Sequence, residues 1–282
     1  NSVGLVINMI LDPLLIFGLG PISGMNVVGA ALATLIAQIV AAGLMVIAVF
    51  RYGGLFKKVK LTEKPDFEHI RIMLKISFPI AIQDILFASI SMVIARMVAG
   101  WGDSAVAVQK VGSQIESISW MTADGFAAAL GAFTAQNYGA RNLERVKNGY
   151  KTAMLVVFGW GVFCTFLLMA FPGQIFQLFI PEPEILPMGI DYLKILGYSQ
   201  LFMCIEIATV GAFSGIGNTI PPSVVGITLT TLRIPAAYAL MNTSLGLNSI
   251  WWVISISSIL KGIVLTAWFV IELRQLLKKE KA

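Results

Sequence analysis

The sequence predicts an all-α integral membrane protein, and three observations predict it. Hydrophobic residues make up 57% of the chain and charged residues only 12%, against about 25% charged in soluble domains. Apolar runs recur near the roughly 20 residues that a helix needs to cross about 30 Å of hydrocarbon. Between those runs the basic residues fall in clusters. Eight spans follow: about 1–18, 27–50, 76–99, 105–135, 152–171, 190–215, 221–241 and 250–273.

Positive charge orients the spans, because Lys and Arg near span ends stay preferentially on the cytoplasmic side. Arg51, Lys57, Lys58, Lys60, Lys64, Arg71 and Lys75 lie between spans two and three. Arg141, Arg145, Lys147 and Lys151 follow span four, and Arg274, Lys278, Lys279 and Lys281 close the chain. These clusters hold 15 of the 20 basic residues, and spans crossing in pairs place all three on one side. Segments 171–189 and 242–249, on the other side, carry no Lys or Arg. The C-terminus is therefore expected in the cytoplasm. Anionic lipid at the inner leaflet accounts for the net charge of +5 without nucleic acid.

Span one opens on Asn1, with no charged region before it and no small-residue cleavage site after it. The chain is expected to begin inside a helix. Pro13 is followed by Gly24-Met25-Asn26 as Pro235 is by Gly246-Leu247-Asn248, at an offset of 222 residues. The echo is either chance or a parallel repeat, of the kind that builds transporters with a site between halves. On the repeat reading, residues 1–50 are the last two helices of a first lobe and 51–75 a cytoplasmic linker. Residues 76–273 are then a complete six-helix second lobe and 274–282 a basic cytoplasmic tail. The same offset puts about four helices, roughly 150 residues, ahead of Asn1.

Span three carries Gln83, Asp84, Ser91 and Arg96. Asp84 is either cation-linked or solvated near the cytoplasm, and Arg96 snorkels to the outer surface. In span four, Gln109, Ser113, Glu116, Trp120 and Asp124 recur at spacings of 4, 3, 4 and 4, which is one helix face. Such a stripe avoids lipid, so Glu116 belongs either to a polar seam between helices or to a cation site. Span six offers Tyr198, Gln200, Phe202, Met203, Glu206 and Thr209, in a stretch, 195–232, free of Lys and Arg. A carboxylate at mid-membrane costs roughly 2.5–3.5 kcal/mol on insertion scales, so Glu206 is expected at a protein interior or a watery path. A carboxylate in an intermittently wet cavity exchanges a proton or sodium ion with its surroundings. Span seven has Arg233-Ile234-Pro235, where proline permits a bend. Asp12, beside Pro13, holds the corresponding place in span one. Phe87, Trp120, Met121, Tyr198 and Met203 either pack or hold a flat cation by cation–π and thioether contacts.

Four segments carry a resemblance. Asn8-Met-Ile-Leu-Asp-Pro-Leu-Leu-Ile-Phe-Gly18, Val28-Gly-Ala-Ala-Leu-Ala-Thr34, Gln136-Asn-Tyr-Gly-Ala140 and Gly211-Ala-Phe-Ser-Gly-Ile-Gly-Asn-Thr219 are similar to the multidrug and toxic compound extrusion (MATE) family. The resemblance covers nearly the whole chain, from that family's fifth helix to its twelfth. It implies a twelve-helix transporter of two six-helix lobes, exporting mostly cationic organic compounds in exchange for sodium ions or protons. The family often carries an acid on the helix of span three; Phe87 takes that place here and Asp84 lies one turn away. Its acid on the helix of span six aligns near Met203, one turn from Glu206. The resemblance thus implies cation coupling at Glu206 and Asp84, and the stripe of span four adds Glu116, with sodium possible at Glu206 and Glu116. A substrate cavity follows among Gln109, Ser113, Trp120, Phe87, Tyr198, Met203 and Asp12.

Other chemistries lack their residues. Cys164 and Cys204 form no CxxC pair, and the lone His69 lies in a basic loop, which excludes a His cluster for zinc. No Gly-Lys-Ser/Thr phosphate loop is present. The expected protein is a monomeric multi-pass antiporter of the cell membrane, not an enzyme, with no cofactor beyond its coupling ion. Its partners are small organic cations and membrane lipid. A lipid-linked saccharide flippase of the same superfamily is the alternative. It calls for a basic cavity, against which intramembrane acids outnumber bases. An intramembrane enzyme or a non-transporting scaffold is the remoter reading.

Overall fold

The computed structural model describes residues 2–18, 24–52 and 67–281, and these form ten helices with no strand among the described residues. The chain divides into two compact units, Asn1–Asp66 and Phe67–Ala282. Lys57, Lys58, Lys60 and Lys64 of the expected linker lie outside the described residues.

In the first unit α1 (Ser2–Phe17) and α2 (Asn26–Tyr52) pack as an antiparallel hairpin. Gly4 meets Ala37 and Ala41 at one end, and Gly29 meets Leu15 at the other. Pro13 sits within α1 without ending it.

The second unit contains α3 (Phe67–Ala99), α4 (Asp103–Gly139), α5 (Leu143–Ala170), α6 (Pro172–Gln177), α7 (Leu186–Gly215), α8 (Ile220–Thr231), α9 (Arg233–Leu240) and α10 (Asn248–Lys281). At its centre α7 packs against α4, α5 and α10. The crossing with α4 is close because both backbones lack side chains there. A Cβ on Gly215 would stand 2.6 Å from the Gly131 carbonyl oxygen, and one on Gly211 would collide with that of Ala127. One apolar cluster gathers around Tyr192, Ile250 and Trp251, and a second around Tyr150, Phe213 and Phe269.

Six helices are long and apolar enough to cross a membrane among the described residues: α2, α3, α5, α7, α8 with α9, and α10. The other two expected spans are α1, apolar but only 16 residues long, and α4, 37 residues long but carrying the polar stripe. Two boundaries differ from expectation. The third helix starts at Phe67, so the backbone at His69 and Lys75 is helical, not loop. The last runs to Lys281, so most of the basic tail extends it. The seventh span is interrupted at Leu232, three residues before Pro235, because proline supplies no N–H to the carbonyl four residues back. Both positions of the echo start helices, α2 at Asn26 and α10 at Asn248.

Candidate functional site

A cavity of about 240 Å³ lies within the second unit, lined by α3, α4, α7, α9 and α10. The α4 stripe supplies Gln109, Ser113, Glu116 and Trp120, since a 4-3-4 spacing keeps one helix face turned inwards. Asp124, one turn further on, is exposed and outside the lining. Phe87 and Ser91 come from α3, Tyr192, Ser199 and Met203 from α7, Arg233 from α9, and Ser258 and Lys261 from α10.

Glu116 is 7% exposed. The Gln200 amide donates to its Oε2 at 2.9 Å, joining α4 to α7. Its Oε1 and the Gln200 Oε1 accept no hydrogen bond among the described residues. The Tyr192 hydroxyl stands beside the Glu116 carboxylate. Its ring fits there because residue 112 is glycine: a Cβ at that position would collide with it.

Glu206 does not stand alone. Lys261 Nζ lies 2.8 Å from its Oε1, and both side chains are about a tenth exposed. Lys261 lines the cavity and Glu206 lies behind it. Arg233, 7% exposed, donates through Nε to Ser257 Oγ at 2.6 Å and through Nη2 to Ser258 Oγ at 3.1 Å. It also stands near enough to Glu206 to feel its charge. Serine hydroxyls thus take the hydrogen bonds of Arg233.

Of the residues expected at a substrate cavity, Gln109, Ser113, Trp120, Phe87 and Met203 line this one. Tyr198 does not; it stacks on Trp252 with ring centroids 5.6 Å apart. Asp12 belongs to the other unit, where Asn8 donates to its carboxylate at 3.3 Å. Asp84 is exposed on α3, away from the cavity. No group of three or more His, Cys, Asp or Glu side chains gathers among the described residues. The expectation that acids dominate fails at the cavity itself, whose lining has Arg233 and Lys261 against Glu116 alone. Sequence reasoning missed Lys261, although its signal was the one that marked Glu206: a single charge in the middle of an apolar span.

The MatE family profile matches residues 79–239. A probable multidrug resistance protein NorM of Thermotoga maritima is 29% identical over 247 residues, covering 87% of this chain and 53% of that protein. An FAD transporter of Shewanella oneidensis is 30% identical over 212 residues, covering 72% of this chain and 46% of that protein. A solved outward-facing multidrug resistance MATE family transporter of the MOP superfamily superposes with a TM-score of 0.87 at 25% identity, over 98% of this chain and 62% of that one. The chain spans about half the length of the curated relatives it matches. With the profile matching more than half of its residues, this chain belongs to the MatE family, the multidrug and toxic compound extrusion proteins that its motifs resemble.

Proposed function

We propose that the chain is the C-terminal part of a twelve-helix secondary antiporter of two six-helix lobes. It exports small organic compounds, mostly cationic, across the cell membrane in exchange for sodium ions or protons. It works as a monomer, with its C-terminus in the cytoplasm and no enzymatic step. The names of two relatives, a probable multidrug resistance protein and an FAD transporter, support small organic cargo.

The observation that carries the reading is the Glu116–Gln200 pair. Inside a membrane-helix cavity it presents two acceptor oxygens, Glu116 Oε1 and Gln200 Oε1, that accept no well-aligned hydrogen bond among the described residues. A proton on Glu116 supplies the missing donor, and a sodium ion satisfies the same oxygens by coordination. Glu116 therefore leads as the coupling carboxylate. A mobile cation at Glu206 has to displace the Lys261 ammonium, so Glu206 acts through Lys261. Asp84, exposed on α3, takes part only where the rest of the transporter covers it. In the cycle, cation binding at Glu116 on the outward side releases cargo, and exchange reverses on the inward side. The break between α8 and α9 supplies a bend for such rocking.

The flippase reading is kept for one reason: Arg233 and Lys261 give the cavity a basic wall. Ethidium efflux from cells expressing the full-length transporter separates the two. Under imposed sodium or proton gradients the native protein is expected to export ethidium, and the effective gradient names the ion. Glu116→Gln is expected to lower the rate at least about a hundredfold, the lower end of the scale of a lost proton-transfer group. Failure of the native protein to move ethidium at normal expression favours the flippase, and unchanged efflux in Glu116→Gln removes Glu116 as the coupling site.

A further inference from the structure

The part of the cavity built by α9 and α10 is cationic. Lys261 and Arg233 are 8% and 7% exposed, and both line it. Buried charges are costly unless paired, yet among the described residues only one carboxylate, Glu206, bonds directly to either of them, and it meets Lys261. Arg233 spends two of its donors on neutral serine hydroxyls, out of the five that a guanidinium carries. Lys261 spends one donor on Glu206, out of three. Donors thus remain on both cations, and positive charge is under-compensated where the cavity begins.

We propose that this wall binds an oxyanion of the transported molecule, a carboxylate or a phosphate, between the Lys261 ammonium and the Arg233 guanidinium. The proposal rests on the cavity being the cargo site of the transporter. A planar guanidinium fork matches an oxyanion with two parallel N–H bonds, and an adjacent ammonium adds a point charge. Ser258, which lines the cavity and accepts from Arg233, has a hydroxyl proton to offer the same group. Glu116 and Trp120 on α4 give the cavity a second, acidic and aromatic region, so cargo bearing both a cationic centre and an oxyanion fits it as a whole. An arriving oxyanion competes with Glu206 for Lys261, so cargo binding loosens the contact between α7 and α10.

Riboflavin and riboflavin 5′-phosphate differ by one phosphate, so the pair isolates that group. Their binding to the full-length transporter is followed by flavin fluorescence in phosphatidylcholine nanodiscs with no gradient. The phosphate form is expected to bind at least about tenfold tighter, the scale of a charge-assisted hydrogen-bonded pair. Lys261→Gln and Arg233→Gln are each expected to bring the ratio close to one, and Lys261→Arg to keep it. Glu206→Gln, which releases the ammonium, is expected to tighten the phosphate form, whereas a purely structural ion pair would leave the ratio unmoved. Equal affinities in the native protein, no binding of the phosphate form up to millimolar concentration, or a ratio unchanged by both Gln variants overturns the proposal. In nanodiscs with phosphatidylglycerol, weakening of the phosphate form alone identifies a lipid headgroup as the source of the oxyanion, and no weakening identifies soluble cargo. Because no transport is read, ethidium efflux can fail while oxyanion binding stands, and the reverse.

Discussion

At the residue scale, the Lys261–Glu206 pair has the largest consequence. Taking one partner from a buried pair leaves an uncompensated charge and costs about 3–5 kcal/mol, whereas removing both is often close to neutral. Lys261→Met and Glu206→Gln are each expected to lower the thermal midpoint of the purified transporter, and the double variant to recover most of the loss. Thermal unfolding across the four proteins measures this, and simple additivity of the two losses would show that the charges are not coupled. One half of this pair was legible, since an acid inside an apolar helix stands out by itself. The pairing was not, because it joins positions on α7 and α10 whose facing no helical period encodes. Glu116 and Gln200, 84 residues apart, were hidden from each other in the same way. By contrast, Gln109, Ser113, Glu116 and Trp120 lie on one helix, so their spacing alone put them on a common face.

At the element scale, the α4–α7 crossing holds the site in place, because Glu116 and Gln200 ride on these two helices. Gly211 leaves room for Ala127 and Gly215 for Gly131, so a side chain there pushes the helices apart. Gly211→Leu is expected to cost about 1–3 kcal/mol or more, the scale of overpacking. A Cβ added to Gly159, within α5, would meet nothing within 4 Å, so Gly159→Ala is expected to gain about 0.5–1 kcal/mol from helix propensity. Thermal shift of the two variants checks the pair, and equal stabilities would show that the crossing tolerates separation. Helix identity was largely legible, because apolar length marks the spans and Pro235 the break in the seventh. Helix ends were less so. Hydropathy reports the length inside hydrocarbon, whereas Arg71, Lys75, Lys278 and Lys279 are compatible with helix in water, so α3 and α10 run past the membrane-length stretch.

At the scale of the whole molecule, the charge that orients the sequence is gathered in space within the second unit. Lys147, Lys151, Arg274 and Lys278, from two separate clusters, line one hollow between α5 and α10. At another place, Asn248 Nδ2 donates to Asp191 at 3.4 Å and Gly246 stands against Trp101. That draws together the turn before α10, the start of α7 and the turn between α3 and α4, where 100–102, 178–191 and 241–248 hold no Lys or Arg. Each basic residue beside an anionic leaflet contributes about 1 kcal/mol, and translocating a cluster opposes the positive-inside preference. The hollow is therefore expected in the cytoplasm and the turns without Lys or Arg outside. Green fluorescent protein fused after Ala282 should fluoresce in a bacterial host, and alkaline phosphatase inserted after Thr243 should be active, since each reporter works on one side only. The reversed pattern, a dark C-terminal fusion with an inactive phosphatase, would turn the protein over and place the release of cargo on the opposite face.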